Sequence, residues 1–191
     1  MLTRQQLVRR YVNYDCTKKS RPVPDLDGWD WSSPDALDER LRSNGLKYGI
    51  ITGYRAWELQ RFGRDDLGAC AIVSGIREFA DKPRVLSLLR PHDEFEAWKP
   101  DRVTSWFATL DSGGAIDDDS ALLIRPATRG ERPARWYIED GSGRAICFYR
   151  RLMRTPDSLD RAAVLLAREP DPSSTFMRER FAELLDRNDR R

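Results

Sequence analysis

The sequence predicts an α+β protein, and three observations carry that reading. Short apolar runs bounded by Gly, Pro and charged residues read as strands at Val85–Leu89, Ala121–Ile124 and Trp136–Ile138. Amphipathic stretches are interleaved with them: behind Pro100, residues Val103, Trp106, Phe107 and Leu110 fall at helical spacing. The 191 residues are 40% hydrophobic and 10% aromatic, with six Trp, six Tyr and seven Phe, enough to fill a core. That length suits one domain, with or without an appendage, at about 100–200 residues per domain.

The first segment is predicted helical from Thr3 to about Tyr14. Thr3 and Gln6 have capping-box spacing, and Leu7, Val8 and Tyr11 form an apolar stripe. Residues 15–33 read as a loop holding Trp29 and Trp31. Ser33 caps a second helix, Pro34 occupies its first turn, Leu37 and Leu41 share a face, and Asn44-Gly45 stops it. A strand at 46–52, a helix at 54–62 and an apolar run Ala69–Val73 follow. The helix from Pro100 ends at Asp111-Ser112-Gly113-Gly114. Arg129 to Pro133 reads as a turn between the strands at 121–124 and 136–138. Gly141-Ser142-Gly143 opens a helix bearing Ile146, Tyr149, Leu152 and Met153. Thr155-Pro156 starts another, carrying Leu159, Ala163 and Leu166, which Pro170-Asp171-Pro172 breaks. A last helix from about Ser174 holds Met177, Phe181 and Leu184.

Composition narrows the function classes. No run approaches the roughly 20 apolar residues of a membrane-spanning helix, and the N-terminus lacks an apolar signal core, so the expected location is cytoplasmic. Cys16, Cys70 and Cys147 are too few and scattered for a disulfide framework or a zinc site. Of the 33 basic residues five are Lys and 28 are Arg, against 31 acids. An arginine excess suits phosphate recognition, because the guanidinium fork matches phosphate oxygens; it equally suits an ion-paired surface. With one histidine, His92, any mechanism that needs two in the chain is excluded.

The most informative stretch is Trp136 to Ala145, a strand, a glycine-rich turn and a helix start. Such a turn offers backbone N–H groups without intrahelical partners, at the positive end of the helix dipole. Gly141 and Gly143 allow close backbone approach, and Arg144 adds a fork of donors, so Gly141, Ser142, Gly143 and Arg144 form a candidate phosphate cradle. Glu139 and Asp140 are candidates to accept a proton, and Asp140 to hold Mg²⁺. The same tetrapeptide also suits a plain tight turn with a solvated acidic rim. It lacks the Gly-Lys-Ser/Thr ending of a Walker A loop and the third glycine of a dinucleotide fingerprint.

The order of elements around this turn resembles the ParB/sulfiredoxin-like superfamily. An amphipathic helix (100–110), a Gly-Gly turn (113–114), a strand ending Ile124-Arg125-Pro126, a second strand (136–138) and then Gly141-Ser142-Gly143-Arg144 at a helix start follow that pattern over about 84–155. The resemblance implies a loop that binds nucleotide phosphates, CTP in partition proteins and ATP in sulfiredoxin and free-serine kinases. Gly141 then matches the loop glycine, Arg144 the phosphate-contacting arginine, and Arg125 assists from the neighbouring strand. The departures are equally plain. Partition proteins carry Gly-Glu-Arg-Arg, sulfiredoxin Gly-Cys-His-Arg and the kinases Gly-His-His-Arg, whereas Ser142 and Gly143 stand here. Sulfinic acid reduction is therefore not expected, because the nucleophilic thiol is missing.

Other residues have two readings each. Asp117-Asp118-Asp119 is either a Mg²⁺ or Ca²⁺ ligand set or a charged cap. His92, between Pro91 and Asp93, is either a general base or a surface loop histidine. Cys147 reads as packed, and Trp29, Trp31 and Trp57 either stack on a base or fill the core. Partition proteins read DNA through a helix-turn-helix that follows the nucleotide domain, where helices at 157–169 and 174–186 are expected here. Those segments mix Asp157, Asp160, Glu169, Asp171, Glu179, Glu183 and Asp186 with their arginines, so DNA binding is expected to be weak and salt-sensitive.

The resulting expectation is a mostly helical extension over 1–83, a ParB/sulfiredoxin-like core over 84–155 and C-terminal helices over 156–191. It binds a nucleotide (ATP or CTP) or another phosphorylated small molecule, with Mg²⁺-dependent phosphoryl transfer or phosphodiester cleavage if it is an enzyme. The alternative is a non-enzymatic, nucleotide-gated or DNA-associated module. The sequence leaves the oligomeric state open.

Overall fold

A computed structural model describes residues 1–46, 49–72, 84–88, 108–110, 112–155 and 157–188. The chain is a mixed α and β protein of two compact units, one formed by 1–58 with 167–191 and the other by 59–166.

In the first unit a short strand, β1 (Leu2–Thr3), runs directly into α1 (Arg4–Lys18). Thr3 accepts from the Gln6 N–H while the Gln6 side chain accepts from the Thr3 N–H, the reciprocal cap that their spacing predicts. Leu7, Val8, Tyr11 and Val12 are buried, a stripe at 3.6-residue spacing. Helix α2 (Pro34–Ser43) likewise begins as the sequence dictates, with Ser33 accepting from the Ala36 N–H at 3.2 Å. Leu37 and Leu41 are fully buried.

Two expectations fail in this stretch. Among the described residues, 49–53 form turns rather than a strand, because Gly49 has φ +74° and the Asp38 carboxylate accepts its N–H. The segment Tyr54–Phe62 is not a helix but strand β2. Exposed and covered positions alternate along most of it, which is how charged residues such as Arg55 and Arg61 fit a strand. Leu2 pairs antiparallel with Trp57, and Thr3 with Ala56.

The second unit contains α3 (Arg64–Gly68), β3 (Cys70–Ile72), β4 (Arg84–Val85) with a 3₁₀ turn over Leu86–Leu88, β5 (Leu122–Pro126), β6 (Trp136–Asp140) and α4 (Ser142–Arg154). A 3₁₀ turn, Arg129–Glu131, lies between β5 and β6. The strand expected at 85–89 is thus only two residues long before it coils. Of the helix expected at 100–110, residues 108–110 are described and helical. Its end is closed by the Gly114 N–H donating to Thr109 O at 3.0 Å, with Gly113 at φ +95°.

The largest correction is at 157–169. That segment is not a helix: strand β7 (Ala162–Pro170) occupies most of it. The run Ala162-Ala163-Val164-Leu165-Leu166-Ala167 is buried without alternation, as a strand flanked on both sides requires. Leu159, expected on the helix's apolar face, is 91% exposed. Two short helices then follow, α5 (Thr175–Arg180), capped by Ser174, and α6 (Ala182–Asn188), separated at Phe181. The expected pair of C-terminal helices at 157–169 and 174–186 is therefore replaced by a strand and a broken helix.

In the first unit β1 pairs with β2, and in the second the strand order is β7-β5-β6-β3-β4. The sheet is mixed, with β3/β6 and β5/β7 parallel and β5/β6 and β3/β4 antiparallel. One face of the second unit's sheet carries Leu122, Ile124, Ile138, Val164 and Leu166, on which α4 lays Ile146, Phe148, Tyr149 and Leu152. Each such large side chain contributes about 1.5–3 kcal/mol on burial. Ala71, Val85, Ala127, Ala134 and Tyr137 form a smaller separate cluster.

Candidate functional site

The site is built where β6 hands over to α4. Strand β6 ends at Asp140, and Gly141 turns the chain at φ +91°, a conformation that L side chains rarely adopt. A Cβ at Gly141 would sit 2.6 Å from Leu122 Cδ2 and 2.9 Å from Arg144 Nη2, so glycine serves both the turn and the packing. Helix α4 then starts with no side-chain cap and no acidic residue in its first turn. Its first intrahelical bond runs from the Ala145 N–H to Gly141 O, 2.9 Å. The amides of Ser142, Gly143 and Arg144 come before that bond, at the positive end of a 13-residue helix. Gly143 is buried and Ser142 half-buried.

Arg144 folds back over this turn. Its guanidinium donates to the Ser120 carbonyl and to Asp140 Oδ2, the latter at 3.3 Å, and its side chain is 14% exposed. Ser120 is fixed by the turn before β5: its N–H and hydroxyl donate to Asp117 Oδ1 at 2.9 and 2.7 Å. These bonds hold the Asp117 carboxyl below its usual range, although the group is exposed. Asp118 pairs with Arg61 at 2.5 Å. Asp117 and Asp118 thus build and anchor a turn that presents a carbonyl to Arg144.

Arg125 does something different from what its strand position suggests. Register sets it opposite Tyr137, with its guanidinium 4.1 Å from the ring centroid, and Glu139 lies two residues further along β6 on the same side. Nε donates to Glu139 at 2.6 Å, while Nη1 and Nη2 grip Glu131 at 2.7 and 2.5 Å. Nη1 also donates to Pro126 O at 3.1 Å. The side chain is only 3% exposed. Burial alone would lower the guanidinium pKa, but the two carboxylates more than offset it and the net shift is upward. Burial likewise pushes Glu131 up, while Arg125 and the Thr128 N–H pull it below its usual range. Arg125, Glu131 and Glu139 form a buried ion-pair cluster.

Of the remaining candidates, His92 lies outside the described residues. Trp57 is fully buried against Tyr54, with ring centroids 5.5 Å apart. Trp29 stacks on Trp31 at 6.1 Å, and Arg9 sits 5.1 Å from the Trp31 ring. Cys147, on α4, is buried in the core. Burial lifts the Cys70 thiol far above its usual range. Glu139 and Asp140 each face an arginine, and among the described residues no three His, Cys, Asp or Glu side chains converge. Among the described residues no helix is long and apolar enough to cross a membrane.

Two clusters carry no sequence signal. Glu131 joins Arg125 from a turn six residues away, and nothing in the pattern marks it as a partner. In the first unit, the buried Asp171 carboxylate accepts from Arg4 and, at 3.1 Å, from Arg55, tying α1 and β2 to the end of β7. Comparison with protein-family models, with curated proteins and with solved structures found no match to this chain.

Proposed function

We propose that this chain binds the phosphate of a nucleotide, ATP or CTP, or of another phosphorylated small molecule at the N-terminus of α4. The observation that carries the reading is the uncapped start of that helix. Gly141 turns the chain in the left-handed region, no side chain caps the helix, no acid stands in its first turn, and the Arg144 guanidinium lies against the same glycine. The resemblance of Gly141-Ser142-Gly143-Arg144 to a ParB/sulfiredoxin-like phosphate loop supports the same ligand class.

The binding set is then the amides of Ser142 and Gly143 with the Arg144 side chain. Arg125 supports the strand pair from its cluster with Glu131 and Glu139 rather than touching the ligand. A bound phosphate replaces Asp140 as the partner of Arg144, since both are anions seeking one guanidinium. The reading is one of binding. Glu139 and Asp140, the expected proton acceptors, are each engaged by an arginine, whereas the binding set needs no base. Reading of DNA by the expected C-terminal helix pair loses its element, because 162–170 is a strand.

The test is thermal unfolding of the whole chain with ATP, CTP and inorganic phosphate, beside adenosine and cytidine as controls. A ligand at about 100 times its Kd stabilises by about 2.7 kcal/mol, a shift of about 5–10 °C for a chain of this size. Stabilisation by the phosphorylated ligands, absent with the nucleosides and lost in Arg144→Ala, is the expected result. Equal shifts for the variant and the unaltered chain, or no shift with any of them, overturn the proposal.

A further inference from the structure

We draw no further inference here: the strongest candidate, the open groove between α2 and α5 lined by Asp35, Asp38, Glu39, Arg42, Glu179 and Arg180, is a surface cluster of mixed charge in which Asp35 already accepts from Thr175 and Asp38 from Gly49 and Arg42, and nothing in the structure points to a ligand in it.

Discussion

Replacing Arg125 by Met separates a structural arginine from a ligand-binding one. The methionine keeps much of the stem volume but strands two carboxylates, Glu131 (11% exposed) and Glu139 (20% exposed). Removing one partner of a buried ion pair costs about 3–5 kcal/mol, because the remaining charge stays desolvated. For a chain of this length that lowers the melting temperature by about 6–20 °C. Adding Glu131→Gln and Glu139→Gln removes the stranded charges and should recover at least half of the loss, since a buried pair is worth little against neutral replacements. The pH profile has a definite sign. Arg125 holds the Glu131 carboxyl below its ordinary value of 4.5 in the folded chain. That contribution is complete above the ordinary value and declines as pH falls toward the folded one. In Arg125→Met, acid protonates the stranded carboxylates, so the gap to the unaltered chain should narrow between about pH 5 and pH 3. Urea denaturation followed by tryptophan fluorescence reads both effects. A single variant within about 0.5 kcal/mol of the unaltered chain, or a triple variant no better than the single, refutes the reasoning.

The same urea measurement checks two further expectations, and a calorimetric titration checks a third. Gly141→Ala places an L side chain at φ +91° against buried Leu122 and should lose about 1–2 kcal/mol from the backbone alone, whereas Gly130→Ala, with nothing within 4 Å, should stay within about 0.5 kcal/mol. Asp171→Asn should destabilise by about 3 kcal/mol, the low end for a broken buried pair because Arg55 is over half exposed. Burial alone would raise the Asp171 carboxyl, but Arg55 and Arg4 depress it, so its contribution is full above the ordinary value of 3.8 and fades as pH falls below it. Asp140→Asn frees Arg144 from a competing carboxylate and should tighten inorganic phosphate by about 1.5- to 5-fold in a calorimetric titration, the range of a partly exposed pair. Weaker binding in that variant would show that Asp140 orients Arg144 rather than competing for it.

How much was legible follows from what each signal measures. Helices α1 and α2 announce themselves through local chemistry, Thr3 with Gln6 and Ser33 with Pro34, so no distant contact is needed to place them. The turn at Gly141 is legible for the same reason, because a strand, a tight turn and an uncapped helix lie within ten residues. Strand β7 reads as a helix because Leu159, Ala163 and Leu166 fall at helical spacing by chance, and a strand covered on both faces shows no alternation. Strand β2 reads as a helix because charged residues dilute its alternation. The roles of Arg125 and Asp171 depend on partners that only the sheet register and chain return bring near. At Arg125 the partners are Glu131 and Glu139; at Asp171 they are Arg4 and Arg55. An arginine that ends a strand looks alike in sequence whether it awaits a phosphate or is already held by two glutamates.

Titration of the whole chain with ATP, CTP and inorganic phosphate by calorimetry, repeated with Arg144→Ala and with the Arg125→Met, Glu131→Gln, Glu139→Gln variant, tests the central claim most directly. The account predicts saturable binding of a phosphate-bearing ligand that Arg144→Ala weakens at least tenfold, about 1.4 kcal/mol, and that the triple variant retains. Binding that survives in Arg144→Ala but is lost in the triple variant would contradict it and move the anion site from the start of α4 to the Arg125 cluster.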